Sequence, residues 1–253
     1  MKRPRLRRRG FRRRVAGRGA VLAHLVTFVN LACGFAALLL AYEGSTRLAV
    51  SLLFLCTVLD FIDGALARMS GQGSAFGKEL DSLADMVSFG VAPAFLAYQS
   101  QIGNGPSGIV VGLVSVVFLV CGAWRLALFN VFEGLKDFRG LPITVAGGIL
   151  TALSYITWGW PWPIMALLTL GLSFLMVCRV RFVKLSRVLI PAVQRLPDGI
   201  RWTPALLLIP LGAIVLEPIP QAVVVLGGIY IGASLLMSRR APASVPLQEE
   251  VVG

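Results

Sequence analysis

The sequence predicts an all-α integral membrane protein of about eight transmembrane helices, with both termini on the cytoplasmic side. Three observations predict it. The 253 residues are 57% hydrophobic and only 14% charged, with a mean hydropathy of +0.80, whereas soluble chains carry about 25% charged residues. Apolar runs fill the chain from residue 21 to residue 238, and runs of about 18 residues or more read as membrane spans. Lys and Arg gather in alternate connecting segments, the pattern that orients helices in a bilayer.

The spans fall at 21–42, 47–69, 80–99, 108–131, 141–159, 161–178, 203–217 and 221–238. The first follows an Arg-rich start and superficially has the layout of a signal peptide. Its 21–42 stretch is too long for a signal h-region, which runs about 7–15 residues, so it reads as a retained helix. The seventh is the shortest and closes at Glu217-Pro218. Trp158 to Pro163 and Glu217 to Pro220 are Pro-containing tight turns of helical hairpins. The chain divides into a basic tail at 1–20, a membrane domain at 21–238 and a C-terminal tail at 239–253.

The net charge of +12 raises nucleic-acid binding, and its distribution argues against it. Ten of the 24 Lys and Arg are Lys2, Arg3, Arg5, Arg7, Arg8, Arg9, Arg12, Arg13, Arg14 and Arg18. The rest lie mostly at 70–79, 132–140, 179–202 and after 238, while the loops 43–46, 100–107, 159–163 and 217–220 hold none. That asymmetry puts both termini in the cytoplasm, and a basic tail there attracts anionic lipid. The segment 179–202 mixes Lys and Arg with Val, Leu and Ile and reads as an interfacial stretch. Trp158, Trp160 and Trp162 suit the outer interface. Cys33, Cys56, Cys121 and Cys178 have neither zinc nor disulfide spacing.

Ionisable residues inside spans are costly and point to function. Asp60 and Asp63 end the second span, and Asp81 and Asp85 begin the third. On a helix, 60, 63, 64 and 67 share one face, and 81, 85 and 88 share another. The first face carries two carboxylates and then Gly64 and Ala67, which have almost no side chain. A short loop lets the two faces oppose each other. Four carboxylates that close repel unless cations lie between them, and hard oxygen ligands suit Mg²⁺ or Mn²⁺. Two such ions form a clamp for phosphoryl-type displacement. Gly64 and Ala67 would admit a flat ligand to the backbone, and Arg68 would pair with phosphate. The competing readings are a buried ion network with Arg68, Arg125 and Lys78, and an ion-conducting path.

Residues 60–85 read D-x2-D-G-x2-A-R-x8-G-x3-D-x3-D. This resembles the signature of the CDP-alcohol phosphatidyltransferase family at all eight fixed positions. The resemblance implies Asp60, Asp63, Asp81 and Asp85 as metal ligands for two ions, and Asp85 as the base that deprotonates an acceptor hydroxyl. It implies Gly64, Ala67, Arg68 and Gly77 as residues that hold the CDP moiety. It also implies a homodimer. The membrane is read as a bacterial or archaeal cell membrane, and the Lys and Arg asymmetry puts the active site on its cytoplasmic side.

The flanking residues resemble the phosphatidylserine synthase branch of that family. They are Leu80 to Pro93, Trp124 to Val131, Phe138 to Pro142, the first span with Thr27, Asn30 and Gly34, and Arg179 to Phe182. One position departs: Leu128 stands where that branch often has Arg. The branch implies transfer of a phosphatidyl group from CDP-diacylglycerol to L-serine, giving phosphatidylserine and CMP. Glycerol 3-phosphate or inositol phosphate are alternative acceptors, and an ion-coupled transporter is the alternative outside this class. Arg125 or Arg139 could hold the serine carboxylate bidentately; helix-end snorkelling and topology charge are the plainer readings. Arg179, Arg181 and Lys184 could hold lipid phosphate. Asn30 could contact donor phosphate or make an interhelical hydrogen bond. His24 reads as an interfacial residue.

Overall fold

The computed structural model describes residues 6–70, 75–101, 106–131, 140–178, 180 and 218–240, with side chains at 21–64, 75–101, 108–131, 140–178, 180 and 220–236. The seventh expected span (203–217), Arg139, Arg179, Arg181 and Lys184 lie outside the described residues. Every described element is helical: α1 (Leu6–Tyr42), α2 (Thr46–Ser70), α3 (Ala75–Asp85), a π-helical segment (Met86–Val91), α4 (Ala92–Gln99), α5 (Pro106–Val131), α6 (Ile143–Ile156), α7 (Trp162–Val177) and α8 (Pro218–Arg240). Val21–Tyr42, Ala75–Gln99 and Gly108–Val131 are long and apolar enough to cross a membrane. Ile143–Ile156, Trp162–Val177 and Pro220–Leu236 are shorter apolar helices.

Two boundaries differ from the sequence expectation by more than three residues. Helix α1 begins at Leu6, inside the basic segment, so one helix of 37 residues joins that segment to the span. At 1.5 Å per residue this is roughly 55 Å, more than the ~30 Å hydrocarbon layer. Helix α3 begins at Ala75, five residues before the expected start at Leu80, because Ala75 to Glu79 carry no helix breaker beyond Gly77.

Helix α1 ends where the backbone needs a left-handed residue. Gly44 has φ +81°, its N–H bonds the Ala41 carbonyl at 3.0 Å, and the Ser45 N–H bonds the Leu40 carbonyl at 2.8 Å. This is a Schellman stop, and glycine fills it without a Cβ penalty. The tight turn folds α2 back along α1. Ala37, Ala41, Ala49, Val50 and Leu53, all at most 2% exposed, form the seam, with Ala92 and Leu96 of α4 packed on it.

The third expected span is a single rod with a widened turn in its middle. The Ala92 N–H reaches the Val87 carbonyl, five residues back. Pro93 supplies the physical reason: it has no N–H, and its ring would press on the Phe89 carbonyl in a regular α-helix. Two glycines let other helices close on this segment. A Cβ at Gly147 of α6 would collide with the Phe89 carbonyl oxygen, and a Cβ at Gly34 of α1 would collide with the Ser88 side chain. The Asn30 carbonyl accepts from Ser88 Oγ at 3.2 Å and Cys56 Sγ at 3.5 Å, so α1, α2 and the π segment meet at one backbone atom.

The larger core lies among the π-helical segment and α4 to α7, around Phe89, Phe118, Leu150, Met165 and Met176. The start of α6 is tied to the end of α7: the Gly140 N–H bonds the Val180 carbonyl and the Leu141 N–H bonds the Leu175 carbonyl, each at 2.9 Å. At the other end, the α6–α7 turn exposes Trp158, Trp160 and Trp162, as an interfacial position requires. Large apolar side chains such as Ile109, Leu113, Leu167, Phe174 and Leu226 face outward at more than 60% exposure. That surface suits lipid rather than water.

Candidate metal and phosphoryl-transfer site

Helices α2 and α3 bring Asp60, Asp63 and Asp81 together, with one oxygen of each carboxylate within 4.8 Å of the others. Asp63 is 3% exposed, while Asp60 and Asp81 are half-buried. Two ionised carboxylates at such a distance repel by about 3–4 kcal/mol at an effective dielectric of 20. Three such pairs in one place call for a cation. The donors are all hard oxygens, so the residues present fit Mg²⁺ or Mn²⁺.

One turn beyond Asp81, Asp85 is 8% exposed, and its Oδ1 has no hydrogen-bond partner. It stands outside the group of three, yet it feels the charges of Asp60, Asp63, Asp81 and Arg125. A buried carboxylate oxygen without a partner is uncommon in a finished structure. It suits a group that receives a proton or a ligand.

Helix α1 supports the site from behind. The Thr27 hydroxyl donates to Asp63 Oδ2 at 3.1 Å and shares that proton with the Ala23 carbonyl at 3.0 Å. Asn30, fully buried, holds the helices through its backbone carbonyl, while neither atom of its side-chain amide has a hydrogen-bond partner. The interhelical bond expected of that side chain is thus made by the main chain. Gly64 follows Asp63 on α2, and Gly77 lies in the first turn of α3. Ala67 and Arg68 lie on α2, with side chains outside the described set.

Helix α5 contributes Arg125, 8% exposed, within electrostatic reach of Asp85. Arg125 and Asp85 feel each other's charge. Leu128, at the departing position, is 42% exposed, so the helix turns that position away from the buried face that carries Arg125. Asn130, near the end of α5, donates to Ser82 Oγ at 3.0 Å and Glu79 Oε2 at 3.4 Å, fixing α5 to α3 beside the aspartates. His24 meets Phe76 edge to face, with ring centroids 5.5 Å apart, and so joins α1 to the start of α3. The aspartates lie together at one level of the helix pair, not spread along the rod as an ion path would need.

Sequence reasoning did not single out Tyr230 of α8, which feels the charge of Arg125. It lies far along the chain in an apolar run, with no motif around it. Glu79 carries no signal of its own in the sequence, and Ser82 enters it only as part of the Leu80 to Pro93 stretch.

An all-helical membrane protein with a carboxylate cluster between two consecutive helices defines a narrow class. The family model for CDP-alcohol phosphatidyltransferase matches residues 20–177, and the chain belongs to that family. The chain is 38% identical over 181 residues to a CDP-diacylglycerol–serine O-phosphatidyltransferase of Bacillus subtilis, covering 70% of this chain and 96% of that protein. It is 36% identical over 164 residues to an archaetidylserine synthase of Methanothermobacter thermautotrophicus, covering 64% of this chain and 69% of the relative. It is 42% identical over 130 residues to a CDP-diacylglycerol–serine O-phosphatidyltransferase of Methanocaldococcus jannaschii, covering 51% and 57%.

Proposed function

We propose that this protein transfers the phosphatidyl group of CDP-diacylglycerol to the hydroxyl of L-serine, giving phosphatidylserine and CMP. The observation that carries the reading is the Asp60, Asp63 and Asp81 cluster with the buried Asp85 beside Arg125. The names of the relatives support serine as acceptor.

In this reading Asp60, Asp63, Asp81 and Asp85 hold two divalent ions, which when bound neutralise the diphosphate and the departing CMP. Gly64 and Ala67 leave room for the nucleotide against the helix, and Arg68, Gly77 and the unpartnered Asn30 amide contact the donor. Asp85 takes the proton of the serine hydroxyl. The new bond forms between that oxygen and the phosphorus bearing diacylglycerol, and the bond from that phosphorus to CMP breaks. Arg125 holds the serine carboxylate; a guanidinium fork matches a carboxylate bidentately. Arg139, Arg179 and Arg181 supply further charge for lipid phosphate.

The charge asymmetry supports eight spans, both termini in the cytoplasm and the aspartates on the cytoplasmic side. The Bacillus and archaeal relatives support a bacterial or archaeal cell membrane. The homodimer rests on family resemblance alone.

Purified protein given CDP-diacylglycerol, Mg²⁺ or Mn²⁺ and a panel of alcohols should release CMP with serine. Release with glycerol 3-phosphate or inositol phosphate, and none with serine, would overturn the acceptor assignment.

A further inference from the structure

Helix α8 lies beyond residues 20–177, the part matched by the family model. It nevertheless turns a distinct face into the bundle. Gly227 is buried and packs so closely on α6 that a Cβ there would meet the Ile149 side chain. Ser234 is 1% exposed. Tyr230 lies between them at i+3 from Gly227 and four residues before Ser234, so it shares their face. Its ring is half-buried and packs against the core cluster that includes Leu126, the neighbour of Arg125. Val225, Leu226 and Ile229 take the outward face instead.

Arg125 is the buried cation at this place, with the Asp85 carboxylate and the Tyr230 phenol both within electrostatic reach. Burying a guanidinium is expensive unless its donors are met. Arginine has five such donors, more than one carboxylate can take. With Asp85 as its only strong partner, the guanidinium would collapse onto that carboxylate. Asp85 would then be a poor proton acceptor, and the fork would no longer face an incoming acceptor.

We infer that Tyr230 is a positioning residue: its hydroxyl, carried inward by the Gly227–Tyr230–Ser234 face of α8, draws Arg125 away from Asp85 and aims the guanidinium at the carboxylate of the acceptor amino acid. This deepens the proposed serine transfer and rests on that reading. Tyr230 touches no reacting atom. It sets acceptor affinity through Arg125.

The test uses the full-length protein in detergent or vesicles with CDP-diacylglycerol, Mg²⁺ or Mn²⁺ and serine, measuring CMP release. Tyr230→Phe keeps the ring and its packing and removes the hydroxyl. The KM for serine should rise at least about tenfold, the worth of one hydrogen bond to a charged group. The KM for CDP-diacylglycerol should stay within about twofold. Tyr230→Ala should raise the serine KM at least as far, and thermal unfolding of the Phe variant should match the parent. Unchanged KM for serine in Tyr230→Phe overturns the proposal, as does an equal rise for both substrates, which marks a structural role. The serine reading is judged on the parent protein: no CMP release with serine there sinks that reading, whatever the variants do.

Discussion

The Thr27 hydroxyl of α1 donates to Asp63 Oδ2 of α2 at 3.1 Å, at a place where Asp63 is only 3% exposed. Water cannot easily replace that bond, so α1 sets the orientation of one carboxylate of the cluster. A group that orients a metal ligand is commonly worth about 10- to 100-fold in metal affinity or activity. Thr27→Val keeps the shape and removes the donor. A Mg²⁺ or Mn²⁺ titration of CMP release should show a higher metal requirement in Thr27→Val, with Thr27→Ser close to the parent. An unchanged titration in the Val variant would mean that Asp63 is oriented by other groups.

The cluster itself should be unforgiving. Asp60→Asn or Asp81→Asn removes one of three carboxylates whose oxygens lie within 4.8 Å. Each should lower turnover by at least about 100-fold, the range for losing a charge-stabilising group in a catalytic site. EDTA should abolish CMP release, and added Mg²⁺ or Mn²⁺ should restore it. Full activity in EDTA would remove the metal from the account.

Asp85 differs from the other three in its buried, unpartnered Oδ1. Asp85→Asn preserves shape and removes the proton acceptor. General-base loss costs about 10²- to 10⁴-fold, so turnover should fall by that order while CDP-diacylglycerol still binds. Tight donor binding with near-parental turnover would assign the base elsewhere.

The approach of Gly147 to the Phe89 carbonyl, and of Gly34 to Ser88, makes a separate prediction about stability. Gly147→Ala places a methyl group against a backbone atom that cannot swing away. Overpacking of this kind costs typically about 1–3 kcal/mol. Gly148, the next residue, has nothing within 4 Å of its Cβ position. Thermal unfolding in detergent should therefore drop for Gly147→Ala and hold for Gly148→Ala. Equal midpoints would contradict the packing.

The parts legible in the sequence were those with a local rule. Hydrophobic run length marked the helices, and the fixed spacing of Asp60, Asp63 and Asp81 marked a cluster that does come together. Other parts depend on distant partners. The π-helical turn at Met86–Val91 follows from Pro93 meeting a helix that must also admit Gly147 and Gly34. The sequence reads 80–99 as one unbroken span, because the partners that shape its middle come from other helices. Asn30 looked like a residue in search of an interhelical partner, yet its carbonyl serves the helices and its amide is left over. Tyr230 had no local signature, because its meaning comes from Arg125, more than a hundred residues earlier. Arg139, Arg179 and Arg181, read from the sequence as acceptor or lipid-phosphate residues, lie outside the described residues and stand as proposals.

The most direct test is to follow the atoms. The purified protein, supplied with CDP-diacylglycerol, Mg²⁺ or Mn²⁺ and isotopically labelled L-serine, should yield labelled phosphatidylserine and one CMP for each lipid formed, as read by mass spectrometry. The same incubation with Asp81→Asn should yield neither. CMP without labelled lipid, or labelled lipid from the Asp81→Asn protein, would contradict the account.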